Sequence, residues 1–214
     1  MGLLNQNWNE SNSSNKINDE TLIFCQLFED LLTKEFEYVS STRENTLEFD
    51  STTIASFNSK SIYLLFVKCS NERDLKSIKY AVDKWYHLCT NHYGLTILDF
   101  AVSKNYYLLV KDLVTCGADP NYVNNNQNTA LMRACKYNNI KIVEYLLTLK
   151  GIDVNAKSWK GNTALHYACI NESIGIILLL LSYKGIDKNA KNSKGLTPFQ
   201  MTRNPEIQIM LNSH

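Results

Sequence analysis

The stretch Gly161-Asn162-Thr163-Ala164-Leu165-His166-Tyr167-Ala168 decides how this chain is organised. Gly161 suits a turn position with positive φ, and Thr163 can cap the following helix by accepting a hydrogen bond from a free backbone N–H. Leu165 and Ala168 are three positions apart and therefore lie on one face of that helix. The stretch predicts a turn followed by a short helix with one buried face.

The same pattern occurs four times along the chain. Its threonines are Thr96, Thr129, Thr163 and Thr197, which are separated by 33, 34 and 34 residues. A period near 33 residues that starts with a Thr-Pro-Leu-His-like element resembles the ankyrin repeat, and the resemblance covers roughly residues 58–214. It implies an all-α fold, a solenoid of helix pairs joined by β-hairpin-like loops, and a binding function.

Each of three repeats is predicted to carry a second helix after the first. These second helices are predicted at Leu108–Val114, Ile140–Leu147 and Ser173–Leu181. Each has apolar residues at positions i, i+1, i+4 and i+5, which form one stripe on an α-helix and are expected to be buried. Gly117, Gly151 and Gly185 follow, and we expect them to end the helices by adopting positive φ.

The composition changes along the chain and suggests its divisions. Residues 1–17 are rich in Asn and Ser and are expected to be disordered, whereas residues 18–60 are expected to hold an amphipathic helix and a linker. A degenerate first repeat is predicted at residues 61–90. Ankyrin repeats are predicted at 91–214, divided into 91–123, 124–157, 158–191 and a truncated cap at 192–214.

The predicted N-terminal helix has a continuous apolar face over residues 20–39. This face consists of Phe24, Leu27, Phe28, Leu31, Leu32 and Phe36, at spacings that include three and four. One interpretation is that it docks in a groove on a partner. The other is that it packs on the first repeat, because the open end of a solenoid needs to be covered.

The composition argues against membrane and metal-dependent classes. The chain has a net charge of +1 and no run of 18 apolar residues, so no membrane span is expected. The N-terminus lacks a basic region followed by an apolar stretch, so we expect an intracellular protein, cytoplasmic, nuclear or both. Six cysteines without Cys-x-x-Cys spacing and four scattered histidines predict no metal and no cofactor. Cys135 and Cys169 occupy equivalent repeat positions and are expected to be buried thiols.

No catalytic motif is found in the sequence. There is no phosphate-binding loop, no Gly-x-Ser-x-Gly and no His-Glu-x-x-His, so we expect that the chain is not an enzyme. An enzyme built from residues 1–90 is the alternative, but that region shows no pairing of a nucleophile with a base. The ankyrin resemblance implies a structural role for His166, which with Thr163 would brace adjacent loops.

The ankyrin resemblance implies that a partner contacts the hairpin tips and the exposed face of the first helices. By the repeat period, His92, Asn125, Trp159 and Ser193 lie at tips, and Phe100, Arg133, Tyr167 and Met201 form one column on the first helices. Trp159 is the strongest candidate, because Trp is enriched among interface hot spots. The alternative is that its ring lies over a neighbouring tip, on Asn125 or Ser193.

Four lysines give the tips a basic character. They are Lys157, Lys160, Lys191 and Lys194, and they suit a protein partner with an acidic surface. Nucleic acid is the other interpretation, but the near-neutral chain carries no recognised nucleic-acid motif. We expect a monomeric protein-interaction module, an adaptor, inhibitor or assembly factor, with no small-molecule substrate. The alternative function is a substrate-targeting subunit of an enzyme complex, recruited through the N-terminal helix.

Overall fold

The computed structural model describes residues 59–84 and 94–213, which contain ten α-helices and no strand. The helices are α1 (Ser59–Asn71), α2 (Leu75–Asp83), α3 (Ile97–Ser103), α4 (Tyr107–Thr115), α5 (Ala130–Lys136), α6 (Ile140–Leu147), α7 (Ala164–Ile170), α8 (Ile174–Leu181), α9 (Pro198–Met201) and α10 (Pro205–Ser213). The predicted all-α fold is confirmed for these residues. The predictions for residues 1–17, for the helix at 20–39 and for the tip residue His92 lie outside them.

The helices stack in two layers. The first helices α1, α3, α5, α7 and α9 pack on one another in chain order, and the second helices α2, α4, α6, α8 and α10 do the same. Each helix pair therefore contacts the pair before it and the pair after it, as expected of a solenoid. The hairpin tips lie at the N-terminal ends of the first helices, and the turns within the pairs lie at the other end.

The repeated threonines start the first helices. Thr96, Thr129 and Thr163 are N-cap residues with extended backbone, and each side-chain oxygen accepts the N–H three residues later. In α7 that N–H belongs to His166, and in α3 it belongs to Asp99. The cap satisfies one of the free donors at the helix start and so fixes where each helix begins.

The predicted apolar stripe forms the core of the second layer. Its i, i+1 and i+4 positions are buried in all three repeats, and they are Leu109, Val110, Leu113, Ile142, Val143, Leu146, Ile176, Ile177 and Leu180. The i+5 position lies at one margin of the stripe. It is buried at Leu181 but half-buried at Val114 and Leu147.

Two of the three turn glycines lie at other positions relative to their helices than the sequence predicted. Gly117 does follow its helix cap directly, with φ of 110°, but Gly151 and Gly185 lie three residues beyond the caps Thr148 and Ser182. Both glycines adopt the expected positive φ, 82° and 91°, but the expectation that they end the helices is wrong. The longer turns after α6 and α8 accommodate the extra residue that makes the later repeat steps 34 residues long.

The turns between first and second helices use positive φ without glycine. Arg73, Asn105, Asn138 and Glu172 have φ between 52° and 59°. Asn adopts this left-handed conformation more readily than most residues, but Arg and Glu do not. Each of these residues lies in the C-terminal cap of its first helix, where for example Tyr106 N donates to Ala101 O at 2.8 Å. The sequence carries no glycine to signal this cap.

Candidate protein-binding surface

The hairpin tips share one backbone geometry. In the tip around Trp159, Ser158 N donates to Asn162 O at 3.0 Å and Gly161 N donates to Ser158 O at 2.7 Å. The next tip repeats this geometry, since Asn192 N donates to Leu196 O at 3.0 Å. These are the tight turns that the ankyrin resemblance implied.

Neighbouring tips are joined to each other by backbone hydrogen bonds. Trp159 N donates to Asn126 O at 3.2 Å, and Ser193 N donates to Lys160 O at 3.0 Å. The side chain of Lys157 adds a third link, because its Nζ donates to Lys191 O at 3.2 Å. The tips therefore form one continuous row rather than independent loops.

Two asparagines connect the bases of successive tips. Asn121 Nδ2 donates to Gly151 O at 2.9 Å, and its Oδ1 accepts from Asp153 N at 2.9 Å. Asn155 makes the same two bonds one repeat later, to Gly185 O at 2.8 Å and from Asp187 N at 2.9 Å. Each amide thus satisfies two backbone groups of the next repeat, which further fixes the spacing of the tips.

Trp159 is the most exposed aromatic side chain on this row. It is 61% exposed, and Lys160 Nζ lies 5.0 Å from its ring centroid. A cation at this distance is attracted to the ring face and restricts the ring's motion. The structure therefore presents Trp159 to solvent. The alternative interpretation required its ring to be buried on a neighbouring tip, which is not observed.

The four tip lysines form a basic row without neighbouring carboxylates. Lys157, Lys160, Lys191 and Lys194 are all exposed, and no Asp or Glu occurs in residues 154–171 or 188–205. Within the described part of the chain, none of the four forms an ion pair. Their charge is therefore uncompensated on this face, which favours an anionic surface opposite.

The other predicted site residues differ in their exposure. Asn125 is exposed at its tip, and Phe100 and Tyr167 are half-buried. Tyr167 uses its hydroxyl internally, because it donates to Asn128 Oδ1 at 3.2 Å, and Phe100 stacks against Tyr63 with ring centroids 4.5 Å apart. Phe100 and Tyr167 therefore present only part of their rings to a partner.

Arg133 does not belong to an exposed column. It is 7% exposed, and its Nε donates to Asp99 Oδ1 at 2.8 Å in the preceding repeat. The expectation that Arg133 contacts a partner from an exposed helix face is wrong, because its guanidinium is turned inward to neutralise a buried carboxylate. The period alone placed it in the right column but could not show the direction of its side chain.

The sequence-based prediction missed two exposed apolar residues beside the lysines. Tyr122 is 40% exposed and Val123 is 47% exposed. Val123 precedes Lys157 and Lys191 by 34 and 68 residues, so it occupies the same repeat position as these lysines. An alignment of the Val123 tip with the later tips at Lys157 and Lys191 would have identified Val123 as a tip residue.

A comparison with protein families agrees with this geometry. The family model described as ankyrin repeats in three copies matches residues 98–192. Residues 98–192 are ankyrin repeats. The matched residues run from α3 to the last hairpin tip, so the predicted family is confirmed. Ankyrin repeats are typically non-catalytic interaction modules, and the stacked repeats supply an extended binding surface. Comparison with curated proteins gave no match.

His166 has a structural role within the ankyrin repeats. Its ring is fully buried, Nδ1 accepts from Thr163 N at 3.2 Å, and Nε2 lies 3.0 Å from Leu196 O. Because one nitrogen faces a donor and the other an acceptor, the neutral ring with the proton on Nε2 satisfies both. Burial lowers the pKa of His166 below its ordinary value of 6.5, which keeps the ring neutral. The ring connects its own tip to the next one.

Cys135 and Cys169 lie inside the ankyrin repeats. Cys135 and Cys169 are fully buried free thiols, as predicted. Burial raises the pKa of both thiols, to about 12 for Cys169, so little thiolate forms near neutral pH. In residues 59–84 and 94–213, no three His, Cys, Asp or Glu side chains converge as metal ligands. Among the helices described, none combines the length and apolar character needed to cross a membrane.

Proposed function

We propose that this chain is an adaptor, inhibitor or assembly factor that binds another protein through its tip surface. The tip surface consists of Trp159 with Lys157, Lys160, Lys191 and Lys194. The observation that carries the proposal is the 61% exposure of Trp159 among four lysines that form no ion pair within residues 59–84 and 94–213. A large apolar ring held in solvent is the kind of feature that binding would bury.

Trp159 supplies the affinity in this proposal. Hot-spot residues cost about 2 kcal/mol or more on truncation to Ala, and Trp is the most enriched of them. The backbone bonds that join the tips hold Trp159 in place before the partner arrives. Because a preorganised surface loses little conformational freedom on binding, more of the contact energy appears as affinity.

The lysines determine which partner is favoured. A row of uncompensated positive charge accelerates association with an acidic surface and disfavours a basic one. The proposed surface continues from the tips toward the first helices through exposed Asn125 and the exposed parts of the Tyr167 and Phe100 rings. Arg133 is excluded from it, because its guanidinium is buried against Asp99.

Affinity capture with the intact protein tests this proposal. Wild type and Trp159→Ala are compared with the matched control Ile209→Ala, which truncates a 68% exposed residue on α10. A partner retained by wild type and by the control, but reduced at least about tenfold with Trp159→Ala, supports the tip surface. Circular dichroism of the three proteins verifies that each is folded.

A charge reversal supplies the second arm of the experiment. Lys160→Glu with Lys194→Glu is expected to weaken capture of the same partner, most strongly at low salt, because exposed charges are screened as ionic strength rises. If neither the Trp159 variant nor the lysine variant changes the captured proteins, the tip surface is not the binding site and the proposal fails.

A further inference from the structure

A second exposed apolar surface lies at the end of the helix pairs opposite the tips. It is a groove between α1 and α4, the α1–α4 groove, lined by Val67, Asn71, Tyr106 and Leu108 among others. Leu108 is 52% exposed and Tyr106 is 42% exposed. Leu64 extends the surface, since it precedes Val67 by one helical turn and is 57% exposed.

Two apolar positions of this groove, Tyr106 and Leu108, have no apolar counterpart in the next repeat. Leu108 follows the N-cap of α4 by two residues, and the corresponding residues in α6 and α8 are Lys141 and Gly175. Tyr106 likewise stands where the next repeat has Asn139. The later repeats place polar or small residues there, as a solvent-facing position requires. The apolar side chains of Tyr106 and Leu108 at these two positions indicate that this part of the surface is covered.

Residues 20–39 of the same chain have the matching pattern. Their apolar face contains Phe24, Leu27, Phe28, Leu31, Leu32 and Phe36. They also carry five acidic side chains and one basic side chain. Around the groove, Lys104 and Lys111 are exposed and form no ion pair among the described residues. Of the acidic groups at this end, Asp112 is buried and accepts from Arg73 at 3.1 Å, whereas Glu72 is exposed and lies 4.0 Å from Lys68.

Chain length makes the intramolecular contact favourable. Residues 40–58 connect the segment to α1, and nineteen extended residues span about 60 Å, which exceeds the length of α1. A linked segment has an effective concentration that reaches about the millimolar range. The segment of the same chain therefore outcompetes a second copy at ordinary protein concentrations.

We propose that residues 20–39 dock as an amphipathic helix in the α1–α4 groove. The apolar face of the segment covers Leu64, Tyr106 and Leu108, and its carboxylates lie toward Lys104 and Lys111. This docking covers the junction between the first two helix pairs and leaves the tip surface free. It is independent of the proposed partner binding.

Hydrogen exchange of the full chain, followed by mass spectrometry, tests this docking. Three proteins are compared: wild type, Leu108→Asp and the matched control Ile209→Asp, which places the same charge at a 68% exposed position on α10. Peptides from residues 20–39 are expected to be protected in wild type and in the control. In Leu108→Asp these peptides are expected to exchange at least about tenfold faster. The reason is that the free energy of local opening determines the exchange rate of a docked element, and the buried charge lowers that free energy. Unchanged exchange of α5–α8 verifies that the repeats remain folded.

A variant in the segment provides the reciprocal test. Leu31→Asp is expected to cause the same loss of protection in residues 20–39, and Lys104→Glu with Lys111→Glu a smaller loss. Absence of protection in wild type, or protection that survives Leu108→Asp, overturns the proposal. Protection that falls on dilution by about a hundredfold also overturns it, because it would show that a second copy occupies the groove.

Discussion

Arg133 and Asp99 form a buried ion pair between two neighbouring ankyrin repeats. Arg133 Nε lies 2.8 Å from Asp99 Oδ1, and the two side chains are 8% and 6% exposed. The same carboxylate accepts from Asn124 Nδ2 at 3.0 Å and from Thr96 N at 3.1 Å. One aspartate thus caps its own helix, holds a hairpin tip and neutralises an arginine from the next repeat.

The first prediction concerns this ion pair. Arg133→Met is expected to destabilise the protein by about 3–5 kcal/mol, because it leaves a buried carboxylate without its counter-charge. Lys136→Met, at an exposed position on the same helix, is the control and is expected to change the free energy of unfolding by less than about 0.5 kcal/mol. Urea unfolding measures both, and equal small effects would show that the pair contributes little.

The second prediction compares two glycines at equivalent tip positions. Gly161 and Gly195 have φ of 71° and 75°, so Ala is strained at both by about 1–2 kcal/mol. A Cβ at Gly161 would lie 2.7 Å from Ser193 N, whereas one at Gly195 meets nothing within 4 Å. Gly161→Ala is therefore expected to cost more than Gly195→Ala in the free energy of unfolding, since two tips must separate. Equal costs in urea unfolding would contradict the close backbone contact between tips.

The third prediction follows from the lowered pKa of His166. Well above pH 6.5 the ring is neutral in both the folded and the unfolded state, so it adds no pH dependence there. Below that pH the unfolded chain binds a proton that the folded chain resists, so stability falls as pH falls until the folded pKa is reached. The slope approaches at most about 1.4 kcal/mol per pH unit.

His166→Gln tests this pH dependence. Gln200 caps the next first helix through its amide oxygen, which accepts from Thr197 N at 2.9 Å, so Gln is a workable replacement. The variant loses the bond to Leu196 O but cannot titrate. The difference in unfolding free energy between wild type and the variant is expected to shrink as pH falls below about 6.5. A difference that stays constant between neutral and acidic pH would argue against a depressed pKa.

The fourth prediction concerns the second-helix core. Leu146→Ala is expected to cost about 2–5 kcal/mol, because the side chain is fully buried and its removal leaves a cavity. Leu178→Ala on α8 is the control, since Leu178 is 43% exposed. Thermal or urea unfolding is expected to show a clearly smaller loss for Leu178→Ala. Similar losses would mean that the two leucines are packed alike.

Several parts of the fold were predictable because they depend on residues close in sequence. The threonine caps act on N–H groups three residues away, and the apolar stripe of α6 repeats within two turns. The role of His166 was also predicted, but only through the family resemblance. Its bond to Leu196 O joins residues 30 positions apart, and no local pattern shows it.

The candidate surface was predicted in part. The exposure of Trp159 and of the four tip lysines agreed with the repeat period, since tip positions recur at fixed intervals. Arg133 was misplaced, because a period identifies a column but not whether a long side chain turns outward or inward. Tyr122 and Val123 were missed because nothing apolar and exposed recurs at their positions; the period aligns Val123 with Lys157 and Lys191, which are lysines.

By itself, the sequence determined the repeat spacing, the all-α character, the helix starts and the buried stripe of the second helices. These depend on caps and periodicities that act over a few residues. Only the tertiary structure decided the partners that lie about one repeat apart, such as Asp99 with Arg133 and Gly161 against Ser193. The physical reason is that these contacts depend on the distance and rotation between stacked helix pairs, which result from packing the whole array.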